Sequence, residues 1–205
     1  GDLTIDHFRG SNPGRFGVEV QSWNGRKLTL RGSDWNISNV SKNPLYFAVR
    51  AAEVALDLQG LVVDNAGVGL NLVRCAGPRV DMIARNCTYG AYVEDYGDYQ
   101  GDMLGKLNIY AEDCDLGLML EKAADAYDVS LRTLRGGQGC KLMRVWNGLH
   151  LRQHSIAPTG SALTIHSGGD GDVELTAIGG GADAVILRND FGELPRRWRI
   201  QANVS

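Results

Sequence analysis

Pairs of large apolar residues recur along the whole chain, each with one residue between its members: Leu3/Ile5, Leu28/Leu30, Val54/Leu56, Val80/Met82, Leu107/Ile109, Val129/Leu131, Leu149/Leu151, Val173/Leu175 and Trp198/Ile200. Successive pairs begin 20 to 27 residues apart. Alternation of this kind marks a strand with one buried face. Gly67, Gly90, Gly117, Gly139, Gly160 and Gly181 keep step with the pairs, at gaps of 23, 27, 22, 21 and 21 residues. A second short apolar segment follows most of these glycines, as in Leu70/Leu72, Val93, Leu118/Leu120, Leu142 and Leu163/Ile165. Each repeat reads as strand, variable loop, strand and a short third segment that ends in glycine.

A repeat of this length is too small to bury its own apolar face, so it stacks on its neighbours as a solenoid. Helical repeats need amphipathic segments of ten or more residues, and no window sustains that spacing. The pattern predicts an all-β fold, a right-handed parallel β-helix of about eight coils. At roughly 4.8 Å per rung this makes a rod about 40 Å long. The glycines are expected to turn the chain at coil corners, where φ is positive.

Composition narrows the class. The chain has 205 residues, 43% hydrophobic and 22% charged, which suits one domain spanning 1–205. A formal net charge of −3 gives no basic excess and so no sign of a nucleic-acid partner. No apolar run reaches the length that spans a bilayer, so membrane insertion is not expected. The first residue is Gly1, and strand-like segments run up to both ends of the chain. Open rungs expose unpaired backbone groups, so further chain, another domain or another subunit is expected to cover them.

Cys75, Cys87, Cys114 and Cys140 form no C-x-x-C pair. Cys87 and Cys114 each lie seven residues past the first apolar member of their rung, so they are expected to stack on adjacent coils as buried thiols. Zinc is not expected without close Cys or His partners, and no cofactor is implied. His150 lies between Leu149 and Leu151 and is expected to point outward, while His166 near Asp170 and Asp172 is a candidate base.

The overlong interval between Gly90 and Gly117 carries the densest candidate chemistry. Between Val93 and Leu107 the chain takes 14 residues, where neighbouring repeats use 7 to 10. Extra residues in a solenoid are extruded as a loop, commonly on the working face. This loop holds Glu94, Asp95, Asp98 and Asp102 interleaved with Tyr96 and Tyr99. Aromatic rings cover the C–H faces of sugars, carboxylates accept from their hydroxyls, and paired carboxylates serve glycoside hydrolysis. The same position on neighbouring coils brings in Arg79, Asp125, Tyr127, Arg144 and Trp146. Glu94, Asp98 and Asp125 are the candidate acid/base residues. Arg79, Tyr96, Tyr99, Asp102, Tyr127, Arg144 and Trp146 are the candidate substrate contacts.

The rung pattern over residues 2–200 resembles the single-stranded parallel β-helix superfamily, which includes pectate lyases, polygalacturonases, alginate epimerases and bacteriophage tailspikes. The polygalacturonase motifs Asn-Thr-Asp, Gly-His-Gly and Arg-Ile-Lys are absent, and no catalytic residue transfers by matching. Among these relatives the chain is most like the phage spikes. That resemblance implies a virion-associated, extracellular, homotrimeric protein that contacts bacterial surface polysaccharide and abuts neighbouring virion subunits or domains at both ends. Three functions stay open: a saccharide-binding spike module, a depolymerase that acts as hydrolase or lyase on capsule or O-antigen, and a purely structural solenoid.

Overall fold

The computed structural model describes residues 1–22, 28–94, 104–122, 126–145, 148–189 and 195–205. Among them every regular element is a strand, and every strand pairing is parallel. The chain is a right-handed parallel β-helix. One sheet stacks the strands Asp2–Asp6, Thr29–Ser33, Ala55–Asp64, Ala76–Arg85, Gly105–Glu112, Tyr127–Leu134 and Leu149–Ile156. It ends with the second half of Leu163–Ile178 and with Arg196–Val204. A second sheet stacks Phe16–Gln21, Phe47–Ala52, Val68–Val73, Tyr89–Glu94, Leu116–Glu121 and Gln138–Val145, then the first half of Leu163–Ile178 and Val185–Arg188.

Alternation does what the sequence pattern predicts. In Gly105–Glu112 and Tyr127–Leu134, buried and more exposed residues take turns. Inward residues of both sheets form one core, with Leu70, Leu118, Val129, Leu151 and Ile165 fully buried. Register differs from the spacing of the apolar pairs in several coils. Leu3 pairs with Leu30 rather than Leu28, and Val129 pairs with Leu151 rather than Leu149. Val173 pairs with Ile200 rather than Trp198, and Val80 pairs with Leu58 rather than Val54. Every one of these displacements is an even number of residues, because an even shift keeps the same side chains facing inward.

The first coils also carry a corner that the fourth strand of this sheet lacks. The first two coils turn an additional corner at His7 and Asp34, both with positive φ, and the short strands Arg9–Ser11 and Asn36–Ser38 follow it. Ala55–Asp64 retains that corner as Gly60, at φ 70°. The next strand, Ala76–Arg85, lacks it, and the register steps by one residue between Leu58 and Leu61 where Gly60 has no counterpart. Trp35 is completely buried beside this corner, and its Nε1 donates to the Ile5 carbonyl oxygen at 2.7 Å.

The repeat glycines do not turn corners. None of the six has positive φ. Gly90, Gly117 and Gly139 instead stand in one column with Gly69, and a β-carbon on any of these four would lie within 2.7 Å of the carbonyl oxygen on the next coil. Gly69, not Gly67, continues the column, and Ala162 rather than Gly160 extends it past Gly139. The left-handed corner after the first sheet falls to Asn39, Asn65, Asn86, Asp113, Arg135 and Ala157. Asn and Asp tolerate that conformation better than other residues. Each of these residues donates its backbone N–H to a carbonyl of the following coil at 2.7–3.0 Å.

Candidate functional site

Outward positions of the first sheet carry a continuous polar surface. One column runs Asp81, Asn108, Ser130, Arg152, Glu174 and Gln201, each in register with the next. A second column on one side runs Asp57, Arg79, Lys106, Asp128, His150, Asp172 and Arg199. On the other side stand Tyr110, Arg132, His154, Thr176 and Asn203. These side chains point outward because their neighbours Val80, Leu107, Val129, Leu151 and Val173 are held in the core. Two shallow depressions lie along this surface, of about 670 Å³ and 560 Å³, and both are lined by Ser130 and Arg152. Together they form one open trough across successive coils.

Charges in the trough are partly tied down. Asp128 accepts from Arg152 Nη2 at 3.2 Å and meets His150 Nδ1 at 3.3 Å. Asp81 accepts from Asn108 Nδ2 at 2.7 Å. The Arg132 guanidinium lies 5.7 Å from the centre of the Tyr110 ring, which holds it over that aromatic face. Glu174 carries no ion pair among the described residues. A rigid sheet holds all these groups at the rung spacing.

The outer face of the second sheet bears a different set. Glu94 and Glu121 are in register on neighbouring coils. Tyr92 donates its hydroxyl to Glu121 Oε2 at 2.7 Å, and Asn71 Nδ2 donates to Glu94 Oε1 at 3.3 Å. Glu94 also borders a depression of about 560 Å³ with Arg15, Phe16, Glu19, Phe47, Arg50 and Asn71. The Phe16 and Phe47 rings stack there at 5.7 Å, 9° from parallel.

The residues singled out from sequence therefore do not share one strip. Arg79 is exposed in the trough, whereas Glu94 projects from the other sheet. Tyr127 is 1% exposed and belongs to the core, so it is corrected from a surface contact to a packing residue. Its ring fills the space that Gly105 leaves, since a β-carbon there would lie 2.5 Å from Tyr127 Cε1. Arg144 lies half-buried near the end of Gln138–Val145, at φ 54°. Asp95, Tyr96, Asp98, Tyr99, Asp102, Asp125 and Trp146 fall outside the described residues. His166 is 95% buried, being only 5% exposed, rather than presented to solvent as a base.

Sequence reasoning passed over Lys106, Asn108, Ser130, Arg152 and Glu174 because it looked in loops. The signal was present in the residue between the two apolar members of each pair. Asp81, Asn108, Ser130 and Glu174 all occupy that place.

The four cysteines are buried free thiols. The Cys87 thiol donates to the Arg85 carbonyl oxygen at 3.3 Å, and its interaction with Cys114 on the next coil, together with burial, raises it above the ordinary thiol range. Burial alone pushes Cys140 up. Among the described residues no three His, Cys, Asp or Glu side chains converge as metal ligands.

No protein-family model, curated protein or solved structure matches this chain.

Proposed function

We propose that this solenoid is a binding module for bacterial surface polysaccharide, and that the polymer lies along the trough of the first sheet. The observation that carries the reading is the uninterrupted column from Asp81 to Gln201, with a hydrogen-bonding side chain on every rung. A binding group repeated at about 4.8 Å suits a ligand that itself repeats. The trough is open and shallow, which suits an extended chain better than a small molecule enclosed on all sides. Sugars need donors and acceptors together, and amide, hydroxyl, carboxylate and guanidinium groups supply both. A virion setting, a homotrimer and neighbouring subunits at the ends belong to the same proposal and rest on architectural likeness. A glycan array followed by titration of the hits tests the reading. Binding that falls when Asn108 and Ser130 are both changed to alanine supports it; an array with no hits refutes it.

One observation favours a second reading, a depolymerase. Glu94 and Glu121 stand on adjacent rungs, each with its own donor. Retaining glycosidases place two carboxyl groups about 5–5.5 Å apart. New reducing ends from capsule or O-antigen that vanish in Glu94→Gln and Glu121→Gln would support hydrolysis. Intact polymer after long incubation would leave only binding.

A further inference from the structure

Arg79 and Lys106 project from neighbouring strands of the first sheet, in register and on the same face. In-register residues of adjacent strands stand about 4.8 Å apart along the sheet, where like charges oppose each other unfavourably. The nearest acids in the column do not relieve this. Asp57, in register with Arg79, accepts from Gln59 Nε2 at 2.8 Å. Asp128, in register with Lys106, is taken by Arg152 and His150. Among the described residues neither Arg79 nor Lys106 has an ion pair or a hydrogen bond from its side chain. Both line the larger depression of the trough, beside Gln59, Asn108 and Ser130.

We infer that Arg79 and Lys106 form an anion subsite that takes a carboxylate or sulfate carried by the polysaccharide, an inference that rests on saccharide binding in the trough. A guanidinium can grip such a group through two parallel N–H bonds, and the ammonium adds a point charge beside it. Gln59, Asn108 and Ser130 flank the pair with partners for hydroxyls. The rest of the trough argues against a nucleic acid. Asp81, Asp128 and Glu174 lie along the same surface, so a backbone with a phosphate on every unit meets repulsion there. A polymer that carries an acid on some units and hydroxyls on others can place its anion on Arg79 and Lys106 and donate hydroxyls to those carboxylates.

Titration of the full chain with polygalacturonate, hyaluronate, dextran, inorganic sulfate and duplex DNA tests this. The acidic polysaccharides are expected to bind more tightly than dextran, by a margin that shrinks as salt is added. Arg79→Ala and Lys106→Ala should each weaken acidic binding about threefold to fivefold, the size of an exposed charge contact. The double variant should lose the preference for acid while it keeps its binding to dextran. Lys141→Ala, which removes the same charge from the second sheet, should bind like the parent. If dextran binds as well as the acidic polymers, or if the double variant keeps the preference, the subsite is overturned and saccharide binding stands. If no polysaccharide binds, the proposed function itself fails. DNA binding that depends on Arg79 and Lys106, or sulfate alone binding as tightly as the polymers, also overturns the inference.

Discussion

Gly117 stands one coil from Gly139, so close that a β-carbon on Gly117 would lie 2.7 Å from the Gly139 carbonyl oxygen. The same side of the core narrows from the opposite sheet, where Thr133 Cγ2 would be 2.6 Å from that atom. Small residues fill this column because the two sheets approach closely there, and the conformation of the glycines has no part in it.

That packing predicts a sharp contrast between glycines. Gly139→Ala would place a methyl group 2.3 Å from the Ala162 carbonyl oxygen and from Gln153 Nε2, and should cost about 3 kcal/mol. Gly180→Ala meets nothing closer than 3.5 Å and has no positive φ, so it should be neutral or stabilise by about 0.5 kcal/mol. Urea melts of the two variants read the difference. Equal stability would mean the column is not tight.

Lys106→Gln should separate stability from binding. Removing the ammonium ends the like-charge opposition to Arg79, while Asp128 on the other side keeps Arg152 and His150 as partners, a gain of about 0.5 kcal/mol. Thermal unfolding is expected to shift up slightly while affinity for polygalacturonate falls. A lower melting temperature would argue that Lys106 has a stabilising partner.

Trp35→Phe removes the only donor that reaches the Ile5 carbonyl from this side chain, and should cost about 1–3 kcal/mol. Coils couple mainly to their neighbours, so the loss should stay local. Amide exchange should quicken in Asp2–Asp6 and Thr29–Ser33 and remain unchanged in Tyr127–Leu134. Uniform acceleration would instead mean that the solenoid unfolds as one unit.

Cys140 is fully enclosed, and burial holds its thiol protonated beyond the ordinary range. Native protein at pH 8 should therefore resist iodoacetamide at Cys140, and unfolded protein should react. Linkage has a definite sign here. Above the ordinary thiol value of 9.0 the unfolded chain releases this proton and the folded one retains it, so stability falls as pH rises past about 9. Cys140→Ala should show a shallower decline over that range than the parent. A decline of equal slope would assign the pH dependence to other groups.

Alternating apolar residues at 20- to 27-residue intervals were enough to specify the long strands of the first sheet, their inner faces and the parallel β-helix, but not the short strands Arg9–Ser11 and Asn36–Ser38. The inward face of a strand depends only on odd and even positions, which any reader of the chain can count. Register does not follow from that parity. Val129 aligned with Leu149 or with Leu151 buries the same kind of face, and only contacts between whole coils favour Leu151. Tyr127 shares its parity with Val129 and Leu131, so its burial was legible, yet the room for its ring comes from Gly105 on another coil. The trough is likewise a product of stacking. Asn108, Ser130 and Arg152 are far apart in the chain and become one surface only when the coils are set in register. Sequence periodicity determined the wall, and packing between coils decided which side chains meet on it.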